Sequence, residues 1–184
     1  MKELSLNILD ITENSVKAGA TLTEINITET DDDLVLTITD NGCGMTPEIL
    51  ETVTNPFTTT RTTRKVGMGI PLLKMAAELT GGEVVITSKH IGEFPNEHGT
   101  VVKAAFSKKH IDFTPLGDVV STITTLIQGH PETDFLYIHR INNDEIVFDT
   151  REIKETLEGV PINTYEVIKW IEEYLREQYL QIFS

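Results

Sequence analysis

The chain has 184 residues, 39% hydrophobic and 24% charged, which is typical of a globular protein with one core, or one domain and a small appendage. Its formal net charge of −14 disfavours binding to nucleic acid or to an anionic membrane, because both need a basic surface. One cysteine, Cys43, excludes an internal disulfide. Together with the absence of a signal-peptide pattern and of a long apolar run, it leads us to expect a cytoplasmic location.

Apolar residues recur at helical spacing near the N-terminus, which predicts a helix over residues 2–18 that stops at Gly19. Polar side chains share one stripe along this helix, namely Asn7, Asp10, Asn14 and Lys17. A mostly buried helix therefore carries a polar line on one side.

Two alternating strands follow, predicted over 21–28 and 34–39, with an acidic turn between them. The second strand runs into Asp40-Asn41-Gly42-Cys43-Gly44-Met45. The glycines permit positive φ and let a ligand lie against bare backbone. The carboxylate can accept a hydrogen bond from an exocyclic amine such as that of adenine. Taken alone, the segment is more typical of a simple turn, so its neighbours must decide.

A short helix is predicted over 47–53, and the apolar pattern then fails for about 16 residues, which is long for an internal connection and favours a lid or a binding segment. Three cations in it are candidates for phosphate contact, namely Arg61, Arg64 and Lys65. The loop ends at Gly67-Met68-Gly69-Ile70, directly before a helix predicted from Pro71 to Leu79. The unpaired first amides of that helix and its dipole favour an anion such as phosphate.

Further along, strands are predicted over 83–88 and 100–106, a linker over 110–115, a helix over 116–128, strands over 135–141 and 145–149, and helices over 151–158 and 164–182. We therefore predict two domains, residues 1–109 and a small acidic α+β domain of unknown role at 110–184. The five histidines lie outside the core motifs and lack the spacing of a metal site, so we expect structural or surface roles for His90, His98, His110, His130 and His139.

Three segments, taken in chain order, resemble the motifs of the GHKL ATP-binding domain. They are Glu13-Asn14-Ser15-Val16-Lys17-Ala18-Gly19-Ala20, then Asp40 to Met45, then Asn55-Pro56-Phe57-Thr58-Thr59-Thr60 with Gly67-Met68-Gly69-Ile70. Histidine kinases, anti-sigma-factor kinases, MutL ATPases, type II topoisomerases and related chaperones share this domain. The resemblance covers about residues 1–109. It implies an α+β two-layer sandwich, the Bergerat fold, in which a mixed, mostly antiparallel sheet carries helices on one face, here with a C-terminal α+β extension.

The resemblance implies ATP and Mg²⁺ as the bound cofactors. Asn14 matches the asparagine that binds Mg²⁺, a hard ion for which one amide oxygen, phosphates and water form a sufficient shell. Glu13 matches the general base of MutL-like members, which orients and deprotonates water. Lys17 matches a cation facing the phosphates. The alternatives are a solvated helix-face acid for Glu13 and an ordinary surface lysine for Lys17.

At the adenine end, the resemblance assigns amine recognition to Asp40, close approach of the base to Gly42 and Gly44, and apolar contact to Met45. Thr100 matches a threonine near the adenine, although an ordinary strand threonine is nearly as good an interpretation. The remaining nucleotide-binding residues that the resemblance implies belong to the lid and the following helix: Phe57, Thr59, Thr60, Arg61, Gly67, Met68, Gly69 and Ile70.

Three functions remain open from the sequence. The first, which we favour at this stage, is a stand-alone kinase that transfers phosphate to a partner protein, because the motif helix begins within the first residues and we expect no phosphoacceptor helix pair on this chain. The second is a MutL-like ATPase switch with Glu13 as base. The third is a nucleotide-responsive regulatory module without turnover. A protein partner is expected in each, and whether the lid forms a homodimer is left open.

Overall fold

The computed structural model describes residues 3–54 and 69–184. In this part of the chain six helices and six strands alternate irregularly. Their bounds are α1 Leu4–Lys17, β1 Leu22–Glu29, β2 Asp33–Asp40, α2 Pro47–Thr54, α3 Gly69–Leu79, β3 Glu83–Lys89, β4 Gly99–Ser107, α4 Val119–Gly129, β5 Asp134–Ile141, β6 Asp144–Asp149, α5 Thr150–Thr156 and α6 Tyr165–Phe183.

All six strands form one mixed sheet in the order β3-β4-β2-β1-β5-β6. Only the β1–β5 pair is parallel, and the other four pairs are antiparallel. Alternate residues of each strand point to the same face. In β1 and β2 the buried set includes Ile25, Ile27, Leu36 and Ile38, whereas their neighbours in sequence are more exposed. One face of the sheet therefore forms the core and the other meets solvent.

Helices cover the buried face. Helix α1 contributes Leu4, Ile8 and Ile11 to the same core cluster as the inward residues of the strands, and α4 contributes Ile123 and Leu126. The predicted α+β sandwich with a mixed, mostly antiparallel sheet is confirmed. None of the described helices combines the length and the hydropathy that crossing a bilayer requires.

The C-terminal extension continues the sheet of the N-terminal region. Strand β5 pairs with β1 over eight residues, from Leu22 opposite Asp134 to Glu29 opposite Ile141. Phe135 and Tyr137 of β5 belong to the same buried cluster as Ile25 of β1. The division at residues 109 and 110 stays a prediction, but the regions on its two sides share one sheet and one core.

The first turn of α4 differs from the sequence-based prediction. The helix was expected from residue 116 and begins at Val119. Asp118 is its N-cap, and its carboxylate accepts a hydrogen bond from the Ser121 amide at 3.0 Å. The prediction began too early because the apolar Leu116 fits the helical period of the residues that follow it. The helix starts after Asp118 because this side chain caps the first free amides.

A partly buried polar cluster joins β1, β5, α6 and Lys108, the residue after β4, at the end of the parallel pair where Glu29 lies opposite Ile141. Glu29 contacts His139 Nε2 at 3.2 Å and Lys108 Nζ at 2.6 Å. The other ring nitrogen of His139 lies 2.7 Å from the hydroxyl of Tyr179. The hydrogen bond from His139, and then the one from Lys108, lower the pKa of Glu29 to about 2 although burial opposes the shift. Burial raises the pKa of Tyr179 to about 12.

Glu29→Gln should therefore change the pH dependence of stability. The pKa of Glu29 is lower in the folded protein, so its stabilising contribution is present above about pH 4.5 and is lost as pH falls towards 2. We expect the variant to lose about 1–2 kcal/mol at pH 7, less than the shift alone implies because Glu29 is partly exposed, with the difference shrinking at acid pH. Urea unfolding from pH 7 to pH 2.5 measures this, with Glu83→Gln as the control. A difference that does not change with pH contradicts the prediction.

Candidate nucleotide-binding site

The end of strand β2 is tied to helix α1 by a serine and an aspartate. Ser15 Oγ donates a hydrogen bond of 2.7 Å to Asp40 Oδ2. The Gly42 amide donates to the other oxygen, Oδ1, at 2.9 Å. A carboxylate has about four lone-pair positions, so Asp40 can still accept a further donor. The two bonds fix the direction of this carboxylate and leave capacity for an exocyclic amine.

The segment after Asp40 is held close to its neighbours by backbone contacts. The Cys43 amide donates to the Ala18 carbonyl at 2.8 Å, and the Ile91 amide donates to the Cys43 carbonyl at 2.8 Å. Gly44 has φ +69°, and a Cβ there would lie 1.9 Å from the Lys89 carbonyl oxygen. A Cβ on Gly42 would lie 2.9 Å from the Ala18 Cβ. Close packing thus favours glycine at both positions, and at Gly44 the backbone conformation requires it as well.

A second polar group lies beside this segment at the ends of β3 and β4. Ser88 Oγ lies 2.8 Å from Thr100 Oγ1 and accepts a hydrogen bond from the Met45 amide at 2.8 Å. Thr100 is the residue opposite Asp40 in the β2–β4 register. Thr100, Met45 and Asp40, all predicted site residues, therefore lie in one region. An open cavity of about 580 Å³ adjoins it, with Asp40, Ser88 and Thr100 in its lining.

The last turns of α1 carry the predicted catalytic and metal-binding residues. Glu13 and Asn14 are partly exposed, and the Lys17 side chain is exposed. Glu13 Oε1 lies 2.7 Å from His130 Nε2, which belongs to the turn after α4. Asn14 offers an amide oxygen, a donor that Mg²⁺ accepts. Among the described residues no three His, Cys, Asp or Glu side chains cluster as a metal site.

Helix α3 begins at Gly69, two residues before the start predicted at Pro71, and it lies beside α1. The Asn7 amide donates to the Gly69 carbonyl at 3.4 Å, and both Gly69 and Ile70 are buried. The Asn7 carbonyl oxygen is buried and has no hydrogen-bond partner within the described ranges. The polar stripe of α1 therefore contacts the start of α3 through Asn7, near the N-terminal end of the helix. Asn14 belongs to the same stripe near the C-terminal end.

Some predicted residues lie outside the described residues. They are Phe57, Thr59, Thr60, Arg61, Gly67 and Met68, together with Arg64 and Lys65. Sequence reasoning in turn missed three residues that the structure places at the site: Ser15, Ser88 and His130. A serine within the apolar period of α1 was the available signal for Ser15. No local pattern pointed to Ser88 or His130.

A larger cavity, of about 760 Å³, lies away from these motifs, between the start of α4 and the end of α6. Its lining is mostly apolar and includes Leu116, Leu180 and Phe183. Cavity size alone therefore does not locate the nucleotide. The candidate site is instead defined by the predicted residues Asp40, Gly42 and Asn14, whose side chains or backbone are of the kinds that adenine and a magnesium-bound triphosphate require.

Residues 2–110 match the family described as "Histidine kinase-, DNA gyrase B-, and HSP90-like ATPase". The chain belongs to this family. The GHKL resemblance predicted from the three motifs is thereby confirmed, and this protein has a GHKL ATP-binding domain. No curated protein sequence matches the chain.

Solved structures share the fold of this GHKL protein at low sequence identity. The Aquifex aeolicus MutL ATPase domain complexed with ADP has a TM-score of 0.51 and 18% identity, over 86% of this chain and 68% of that one. The N-terminal domain of a DNA repair protein has a TM-score of 0.50 and 15% identity, over 80% and 52%. A mycobacterial sensor histidine kinase, MprB, has a TM-score of 0.42 and 21% identity, over 57% and 70%. The chain thus spans about half to two thirds of the length of these structures.

Ser15→Ala tests whether the α1–β2 tie orients Asp40. Without the hydroxyl the carboxylate loses one of its two donors and is held less firmly in the direction suited to the adenine amine, so we expect ATP to bind about 5- to 30-fold more weakly, which corresponds to about 1–2 kcal/mol. Isothermal titration calorimetry measures the affinity. Ser121→Ala is the matched control, because Ser121 Oγ donates a bond of the same 2.7 Å length to Asp118 at the distant start of α4. Equal affinities in the two variants would refute the role of Ser15.

Proposed function

We propose that this protein binds Mg·ATP and hydrolyses it to ADP and phosphate, and so acts as a nucleotide-driven switch. The observation that carries the proposal is the hydrogen bond between Ser15 and Asp40. It ties the acid suited to adenine to the helix that carries Glu13 and Asn14. One rigid unit therefore presents groups suited to both ends of the nucleotide.

Each residue has a distinct role in this proposal. Asp40 accepts a hydrogen bond from the adenine amine, and Gly42 lets the base approach the backbone. Asn14 would supply an oxygen to Mg²⁺, and the bound ion would neutralise phosphate charge. Glu13 accepts the proton of a water whose oxygen bonds to the γ-phosphorus as the bond to the β–γ bridging oxygen breaks. The lid residues from Phe57 to Met68 are proposed to complete the phosphate site.

Hydrolysis is favoured over phosphotransfer by the position of Glu13. Its side chain is only 32% exposed, so it suits a water held in a sheltered position beside the phosphates, and it comes directly before Asn14, the residue proposed to bind Mg²⁺. Transfer to a partner protein, favoured from the sequence alone, is the second candidate. The same partly exposed carboxylate could receive the proton of an acceptor side chain in place of water.

Glu13→Gln separates binding from turnover. A general base contributes about 10²- to 10⁴-fold, so we expect phosphate release to fall at least 100-fold while the Kd for ATP changes less than about 3-fold. A phosphate-release assay and calorimetry measure the two quantities. Glu24→Gln, an exposed acid on the opposite face of the sheet, is the matched control. Unaltered hydrolysis in Glu13→Gln rejects the water-activation role.

The destination of the phosphate decides between the candidates. Purified protein and cell lysate are incubated with γ-labelled ATP, and the label is followed to free phosphate, to this chain or to another protein. Free phosphate that appears with the purified protein and disappears in Glu13→Gln supports hydrolysis. Label on another protein, lost in the same variant, supports the kinase.

Asp40→Asn should weaken binding of adenine nucleotides. The neutral amide keeps the size of the side chain but removes a charged acceptor, and we expect the Kd for ATP to rise about 10- to 100-fold. Calorimetry with ATP measures this, and Asp144→Asn, an exposed aspartate at the start of β6, is the control. An unchanged Kd would show that the adenine lies elsewhere.

A further inference from the structure

We propose that His130 is a positioning residue for Glu13, supplied by a part of the chain that lies outside the ATP-binding module. This inference rests on the hydrolytic function proposed above and names the residue that prepares its base. The family match ends at residue 110, whereas His130 follows α4. The site would then be complete only when the C-terminal extension is docked on α1.

The contact between the two side chains is short and specific. His130 Nε2 and Glu13 Oε1 lie 2.7 Å apart, within the range of a charge-assisted hydrogen bond. The imidazole side chain is 25% exposed and the carboxylate 32% exposed, so water only partly competes with the bond. With Nε2 as the donor, the ring restrains a side chain that otherwise has three freely rotating bonds.

One carboxylate oxygen of Glu13 remains available for chemistry. His130 contacts Oε1, and within residues 3–54 and 69–184 no other hydrogen bond to the Glu13 carboxylate is formed. A base that must take a proton from water needs such an oxygen, held in a fixed direction. The histidine therefore orients Glu13 without occupying the oxygen that would receive the proton.

The histidine is itself fixed by its backbone. Its amide donates to the Leu126 carbonyl at 2.9 Å and so closes the last turn of α4. Its carbonyl accepts from the Thr133 amide at 3.1 Å, just before β5 begins. Because the amide and the carbonyl of His130 are both hydrogen-bonded, its backbone is held in place, and its ring extends from this turn to Glu13 of α1.

Attachment of α4 to α1 does not depend on this pair. The Leu4 amide donates to the Pro115 carbonyl at 2.9 Å, and the Ser5 amide donates to the Leu116 carbonyl at 2.8 Å. Thr122 Oγ1 donates to the Ser5 carbonyl at 3.2 Å, and Ile123 and Leu126 are buried in the shared core. Because these contacts already hold the two helices together, the histidine–glutamate pair is better explained by a role at the site than by a role as a tether.

The test compares His130→Ala with His130→Gln in the full chain. We expect the alanine variant to lower kcat for phosphate release about 10- to 100-fold, because the base is no longer held in place, and to leave the Kd for ATP within about 2-fold. Glutamine retains an N–H donor and should recover part of the loss. His110→Ala is the matched control, since His110 is exposed and lies in the link before α4. In a Glu13→Gln background His130→Ala should have no further effect on kcat.

A second measurement keeps the test independent of folding. Nitrogen-15 NMR of the histidine rings in the folded wild type and in Glu13→Gln should show a changed Nε2 signal for His130 and an unchanged signal for His110. Wild-type turnover that His130→Ala leaves intact, with only a lower Tm, overturns the positioning role alone. If the wild type releases no phosphate, the proposed function is overturned and the positioning role falls with it.

Discussion

The hydrogen bond between Ser15 and Asp40 joins the two parts of the molecule that carry the residues proposed to bind the nucleotide. Helix α1 carries the residues suited to Mg²⁺ and water, and the end of β2 carries the acid suited to adenine. Because Asp40 also accepts the Gly42 amide, a change in its direction would move the glycine loop as well. Ser15, a buried side chain of α1, therefore helps to fix the position of the end of β2 relative to this helix.

Most of the fold could be predicted because its signals are local. Alternating apolar residues in 34–39 and the helical period of Leu4, Ile8 and Ile11 depend only on neighbours in the chain. The segment from Asp40 to Met45 was informative for a related reason. Its glycines lie so close to neighbouring backbone that a side chain would not fit. At Gly44, for example, an added Cβ would collide with the carbonyl oxygen of Lys89.

Pairings between distant parts of the chain could not be predicted. Ile25 lies opposite Tyr137 in the parallel β1–β5 register, and neither strand has a sequence feature that identifies the other as its partner. His130 and Glu13 are 117 positions apart, and a histidine after a helix is usually a surface residue. A sequence period indicates which face of an element is buried, but not which element covers it.

Helix α1 takes part in several of these distant contacts. One of its sides packs on the sheet and on α4, and its polar side carries Asn14 and meets Gly69 at the start of α3. Closely packed elements shift together rather than deforming independently. A displacement of α1 on nucleotide binding would therefore be passed both to Asp40 through Ser15 and to the turn at His130. The C-terminal extension shares the sheet with β1, so it would respond to the same movement, and a partner bound to it would in turn bias the site.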